Sequence, residues 1–201
     1  MTPPTVSAVE QSRSARIGAV LFRNRSWLPV PFLLVPLLVP GPQSPRGWAI
    51  AALFLVAGES LRMAGVADAG TATRRRSRNV QRLVTYGVFA WLRNPLYVGN
   101  LLVWTGFVIG SGLLWFLPIA LAIFALEYTL IVRYEEGVLE STFGAEYVAY
   151  KARTPRWLAR PPTMPATGEH DWSEALRSEM STFAQYAALG AAFWIKARLR
   201  V

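Results

Sequence analysis

Residues 96–132 read LYVGNLLVWTGFVIGSGLLWFLPIALAIFALEYTLIV, an apolar stretch broken once, at Gly110-Ser111-Gly112. A bilayer core about 30 Å thick takes about 20 apolar helical residues to cross, so this stretch is too long for one span. The Gly-Ser-Gly break is where a tight helical hairpin needs its turn. The two spans are then antiparallel neighbours, and Arg93-Asn94 before them and Arg133 to Glu136 after them reach the same membrane face. The first span, 96–110, rises only about 22 Å, so it should gain length from Trp91 or from the turn. Two further apolar blocks precede it, 27–40 and 48–66. Pro29, Pro31, Pro36 and Pro40 make the first a distorted span, tolerated where neighbouring helices satisfy the freed carbonyls. The expected fold class is all-α: a polytopic membrane helix bundle of about four transmembrane helices, including the tight hairpin, with a cytosolic C-terminal helical region.

Composition agrees with membrane embedding. The 201 residues are 53% hydrophobic with a mean hydropathy of +0.28, high for a soluble globule. The net charge of +9 is unevenly placed. Arg13, Arg16, Arg23 and Arg25 precede the first span, Arg74, Arg75, Arg76, Arg78, Arg82 and Arg93 separate the second from the third, and Arg133, Lys151, Arg153, Arg156 and Arg160 follow the fourth. The connections at 41–47 and 110–112 hold Arg46 alone. By the positive-inside rule both termini, the central loop and any site beside them face the cytoplasm of a multi-pass protein, expected in a bacterial inner membrane. The run Arg74-Arg75-Arg76-Ser77-Arg78 sits beside a span, so anionic lipid headgroups explain it better than nucleic acid, and no nucleic-acid partner is expected.

Absent cysteine excludes thiolate chemistry, and a single histidine, His170, gives no metal site and reads as a surface residue of a linker. Three regions follow: a cytosolic segment 1–25 with an interfacial helix near 17–22, a membrane core 26–160 opened by Ser26 as N-cap, and a linker with a C-terminal amphipathic helix over 161–201. The stripe Leu176, Met180, Phe183, Ala187, Ala191 and Trp194 makes that last helix a membrane-surface or docking element. In the second span Glu59 and Arg62 share a helical face, either as an interfacial salt bridge or as part of a site, and Gly58, Gly65 and Gly70 would let neighbouring helices approach closely.

The candidate chemistry lies at the common face of the hairpin. Asn94-Pro95 favours an extended entry into a helix whose N-terminal amides would cradle a carboxylate or phosphate, and Tyr97 and Trp91 offer aromatic faces to a cation. Glu135 and Glu136 point different ways on a helix, so each would act separately, on a cationic or hydroxyl-bearing ligand and on Arg93 or Arg133. On spacing alone, interfacial anchoring and a solvated helix start account for the same residues.

Two stretches together resemble a known family. Leu83-Val84-Thr85-Tyr86-Gly87-Val88-Phe89-Ala90-Trp91-Leu92-Arg93-Asn94-Pro95-Leu96-Tyr97-Val98-Gly99 is similar to the first signature of isoprenylcysteine carboxyl methyltransferases and related phospholipid methyltransferases. Glu135-Glu136, Leu139, Phe143-Gly144, Glu146-Tyr147, Tyr150 and Arg153-Thr154-Pro155 resemble the second. Val88 and Phe89 stand where Pro and Tyr are usual, and Asn94 where eukaryotic carboxyl methyltransferases have His. The resemblance implies S-adenosylmethionine bound at the cytosolic side and a lipophilic or prenylated substrate entering from the bilayer. It assigns Tyr86, Gly87, Asn94, Pro95, Tyr97, Glu135 and Glu136 to the cofactor pocket. Arg93 and Arg153 would orient a carboxylate or phosphate, with Glu136 as the third catalytic candidate. A carboxylate is already ionised near neutral pH and needs no general base, which favours carboxyl methylation over methylation of an amine. The alternatives are a phospholipid N-methyltransferase, an NADPH-dependent enzyme of the sterol-reductase type, and a non-catalytic membrane scaffold.

Overall fold

The computed structural model describes residues 13–70, 82–163 and 167–199. All regular structure among them is helical: α1 Arg13–Asn24, α2 Pro29–Leu38, α3 Pro45–Ala69, α4 Val88–Trp91, α5 Pro95–Gly110, α6 Leu117–Phe143 entered through a 3₁₀ turn at Leu114–Phe116, α7 Ala145–Arg153 and α8 Trp172–Leu199. The arginine run 74–78 lies outside the described residues.

Helix boundaries follow local chemistry. Ser44 caps α3 by accepting a bond from the Gly47 amide at 3.1 Å, with Pro45 in the first turn, where no N–H is needed. Pro95 opens α5 in the same way. The expected extension of α5 back to Trp91 does not occur, because Leu92 is extended and Asn94 is non-helical, which leaves α4 as a separate turn. Likewise α2 begins at Pro29 after Leu28, so Ser26 is not its cap. At the hairpin turn the buried Ser111 hydroxyl donates to Val108 O at 2.7 Å and accepts from the Leu113 amide at 3.3 Å. Gly112 takes φ +77 and lies against Pro42, where a Cβ would stand 2.6 Å from a carbonyl oxygen.

Helices α3 and α5 form the centre of the bundle. A Cβ on Gly58 would lie 2.7 Å from Gly99 O, one on Gly99 2.7 Å from Gly58 O, and one on Gly106 3.1 Å from Ala51 O. Small residues seven apart on each antiparallel helix thus bring the two backbones into contact, the small-residue packing used where lipid supplies no hydrophobic drive between helices. Gly65 joins this seam against Leu96, whereas Gly70, with φ +70, is the C-cap of α3, where a Cβ would stand 3.8 Å from Glu174 Oε2. Phe32 of α2 stacks on Trp104 at 4.8 Å, and Phe124 on Tyr128 at 4.1 Å, filling the space between α2, α5 and α6. Gly18 of α1 sits on Leu130 and Tyr134 of α6, which turns the expected interfacial helix into a packed one.

The exterior is apolar. Leu53 of α3 is 72% exposed and Leu126 of α6 64%, with Val56, Ile119, Leu121 and Ile123 beside them. Two helical runs, Pro45–Ala69 and Leu114–Phe143, are long and apolar enough to cross a membrane, and Pro29–Leu38 and Pro95–Gly110 are shorter apolar helices.

The C-terminal helix docks along the whole length of α3. At its start the Asp171 amide donates to Ala67 O at 2.9 Å. At its end Phe193 meets Trp48 edge-on at 5.5 Å, and Lys196 Nζ donates to Pro36 O at 2.7 Å and to Val39 O. The face that docks is not the apolar stripe. Ala175, Glu179, Thr182, Tyr186, Leu189, Phe193 and Lys196, in alternating steps of three and four, turn inward, while Leu176, Met180, Ala187, Ala191 and Trp194 are exposed. Between Glu179 and Lys196 the exposed residues are all uncharged, which suits contact with lipid rather than water.

Candidate functional site

Two segments remote in sequence run side by side at the end of the bundle where α5 begins and α6 ends. The Arg93 amide donates to Pro155 O at 2.9 Å and the Arg160 amide to Trp91 O at 3.0 Å. The Tyr150 hydroxyl donates to Phe89 O at 2.8 Å and the Asn94 side-chain amide to Arg156 O at 3.0 Å. Asn94 is therefore spent on holding the two segments together and does not cap α5.

Glu136 is buried at the centre of this contact. Its Oε1 accepts from Arg93 Nη1 at 2.6 Å and Arg156 Nε at 3.0 Å, and its Oε2 from Arg156 Nη2 at 2.5 Å. The pairing of Glu136 with Arg93 matches the sequence reading. Arg156 is the second guanidinium on Glu136, and the hydrogen bond between them raises its pKa above the usual arginine value. Arg93 Nε is buried with no partner. Glu135 points the other way, as expected of neighbours on a helix, and accepts from the Tyr97 hydroxyl at 2.7 Å. Arg25, after α1, lies close enough to act on the Glu135 charge.

Tyr86 and Gly87 belong to a second cluster, around the buried Asp68 at the end of α3. Asp68 Oδ2 accepts from the Val88 amide at 2.7 Å, Asp68 Oδ1 pairs with His170 Nδ1, and the Tyr86 hydroxyl donates to Asp68 O at 2.8 Å. Gly87 takes φ +56, and a Cβ there would stand 2.0 Å from Asp68 Oδ2, so glycine alone fits. His170 is thus tied to a signature turn and is not a free linker residue. Asp68, His170 and Arg156 were not among the sequence candidates. Only Arg156 had a signal, as the next arginine after the Arg153-Thr154-Pro155 motif.

Arg153 lies against the Tyr150 ring, 5.8 Å from its centroid, and borders a polar cavity of about 190 Å³. Thr85, Tyr86, Ala90, Thr154 and Thr163 also line it, so the 85–90 turn, the end of α7 and the linker share one recess. The charged cluster itself brings together the guanidinium groups of Arg93 and Arg156, the carboxylates of Glu135 and Glu136 and the Tyr97 hydroxyl, able to pair with ligand groups of either sign. Arg156, with its side chain 32% exposed, is the most accessible guanidinium of the cluster.

Comparison with known proteins follows this geometry. The charged cluster sits at one end of a helical bundle with an apolar exterior. Residues 48–146 match the family model described as phospholipid methyltransferase, in line with the resemblance. The chain is 36% identical over 118 residues to protein-S-isoprenylcysteine O-methyltransferase of Mus musculus, covering 55% of this chain and 40% of that protein. It is 28% identical over 171 residues to the protein of the same name in Xenopus laevis, covering 76% of this chain and 57% of that one. A third relative, the nickel-cobalt-cadmium resistance protein NccN of Alcaligenes xylosoxydans xylosoxydans, is 30% identical over 131 residues, covering 65% and 61%. The chain therefore spans about two fifths of the length of the mouse methyltransferase. No solved structure matches.

The site rests partly on buried phenols, which gives it a pH limit. Burial pushes Tyr147 and Tyr150 above the ordinary tyrosine pKa. A group whose folded pKa is raised contributes stability that is intact below its unfolded pKa, about 10, and is lost as pH rises through the folded value. The melting temperature in detergent should hold from pH 8 to 10 and fall above it, by up to about 1.4 kcal/mol of stability per pH unit for each tyrosine. Tyr150→Phe should lower stability at pH 8, through loss of the bond to Phe89 O, and flatten the alkaline fall. An unchanged alkaline slope in the variant would contradict this.

Proposed function

We propose that the chain is an integral membrane methyltransferase that transfers a methyl group from S-adenosylmethionine to the carboxylate of a lipophilic substrate, of the isoprenylcysteine kind. The observation that carries this is Glu136 held between Arg93 and Arg156, which unites the two signature segments in one site. Support for the substrate comes from the names of the mouse and Xenopus relatives and from the apolar exterior beside the site.

In this reading Arg93 and Arg156 would bind carboxylate groups, Glu135 and Glu136 would hold the cofactor's ammonium, and Tyr97 and Tyr147 would offer aromatic faces to its cationic centre. When bound, the cofactor would supply an electrophilic methyl on a sulfonium. An ionised substrate carboxylate would need no proton removed to accept it. The protein's work is then alignment and charge placement in a recess of low dielectric. Arg153, Tyr86 and Gly87 shape the adjoining recess.

A second reading has one observation in its favour. Methylation of an amine requires a proton acceptor, and His170, 37% exposed and paired with Asp68 beside Tyr86, is placed to be one. Purified protein supplied with methyl-labelled donor and either a prenylated cysteine or total membrane lipid separates the two. Label in a base-labile ester is expected. Label in a base-stable N-methyl product would favour the amine, and no methyl transfer to either would contradict both readings.

The arginine distribution supports reading the site at the cytoplasmic face of a bacterial inner membrane, with α3 and α6 as full crossings and α2 and α5 as shorter ones. Residues 26–160 then form the catalytic core. The start of α8 lies at the site end of α3 and its end at the opposite end, so in this reading α8 crosses as well and carries Arg198 to the outer face, in place of the expected cytoplasmic course. Because the chain has no cysteine, single substitutions report this cleanly. A membrane-impermeant maleimide on intact spheroplasts should label Arg198→Cys and leave Thr163→Cys unlabelled until lysis. Both positions unlabelled until lysis would place α8 at the cytoplasmic surface instead.

A further inference from the structure

Residues 167–171, which lead into α8, are fastened onto the first signature segment. They pass over Tyr86 so closely that a Cβ on Gly168 would stand 2.0 Å from Tyr86 Cδ2. Two residues on, the His170 ring meets the same tyrosine edge-on with centroids 6.1 Å apart, and His170 Nδ1 pairs with Asp68 Oδ1. The Asp171 amide then donates to Ala67 O at 2.9 Å, and the Asp171 side chain accepts from the Glu174 amide at 2.8 Å to open α8. Ala175, in the first turn of α8, is fully buried against Val66 and Ala67.

Asp68 stands where these contacts cross. Its carboxylate is buried, and the two oxygens serve different segments: Oδ2 accepts from the Val88 amide at 2.7 Å, and Oδ1 takes His170. An ionised carboxylate only accepts, so in this bond the proton is on His170 Nδ1. The terminal torsion of an aspartate is broad, and one amide alone would leave the carboxylate room to turn. A second donor on the other oxygen fixes it, and bonds to a charged acceptor are the stronger kind.

What Asp68 holds is the 86–88 turn. Gly87 takes φ +56 against Asp68 Oδ2, and the Tyr86 hydroxyl donates to Asp68 O at 2.8 Å while accepting from Arg82 Nη2 at 2.7 Å. Tyr86 and its neighbour Thr85 line the polar cavity on one side, and Thr163 and Thr167 line it on another. We propose that His170 is a positioning residue for this cavity: by fixing the Asp68 carboxylate it holds the 86–88 turn, and with Gly168 it sets the Tyr86 ring in the cavity wall. The proposal rests on the reading of Tyr86 and Gly87 as cofactor-pocket residues. Asp68 lies within the 48–146 segment that matches the family and His170 beyond it, so the bond ties the chain's C-terminal part to the signature turn.

His170→Phe and His170→Asn test it together. Phenylalanine keeps a ring against Tyr86 and donates nothing, whereas the asparagine Nδ2 can stand in for Nδ1 and donate to Asp68. In full-length protein in detergent, His170→Phe should quicken amide hydrogen exchange over residues 86–90 several-fold and weaken S-adenosylhomocysteine binding about tenfold, with the melting temperature held within a few degrees. His170→Asn should keep exchange and affinity close to those of the wild type. Unchanged exchange and affinity in His170→Phe, equal losses in both variants, or losses that only track a lowered melting temperature would overturn the proposal. If wild-type protein binds no S-adenosylhomocysteine, the methyltransferase reading fails, and the exchange measurement on the two variants still decides whether His170 holds the turn.

Discussion

The backbone contact between α3 and α5 is the constraint on which the rest depends. Gly58 and Gly99 meet with no room for a Cβ on either, and the seam continues through Ala51 with Gly106 and Gly65 with Leu96. This closeness puts Arg62 within reach of Asn100 and sets the start of α5 beside the end of α3. Each signature segment is anchored from that point. The Tyr86–Val88 turn closes on Asp68, the last acidic residue of α3, and Asn94 and Tyr97 project from the first turn of α5 toward α6 and the segment after α7.

Charge at the site is arranged in groups of opposite sign. Glu136 between Arg93 and Arg156 leaves a net positive charge, suited to a carboxylate-bearing ligand, while Glu135 with Tyr97 offers a negative side for a cation. Buried or half-buried as these side chains are, the opposed charges act over short distances with little water to screen them. A second charged group, Glu59 and Glu179 on Arg62, lies deeper along α3 and ties α8 to it.

Much of this was legible in the sequence, and the failures have physical causes. The Gly110-Ser111-Gly112 break fixed the antiparallel hairpin, and with it the meeting of Arg93 and Glu136, because only a short turn satisfies two adjacent apolar runs. The apolar stripe of α8 was legible and stays exposed, as suits a helix whose outer face meets lipid. The inward series Ala175, Glu179, Thr182, Tyr186, Leu189, Phe193 and Lys196 keeps a strict three–four alternation, but its mixed chemistry hid it. Arg156 escaped notice as a partner of Glu136 because Pro155 ends helical geometry before it, so helical phase does not predict where its guanidinium points. The tie between His170 and Asp68 left no trace at all, since the linker has no periodicity from which its path could be read.

The central claim is that the two signature segments form a single methyl-donor site, and ultraviolet cross-linking with methyl-labelled S-adenosylmethionine tests it most directly. Digestion and mass spectrometry of the labelled full-length protein should place the adduct in residues 86–97 or 135–156, and excess S-adenosylhomocysteine should abolish it. Label confined to other helices, or label that S-adenosylhomocysteine does not displace, would contradict the account.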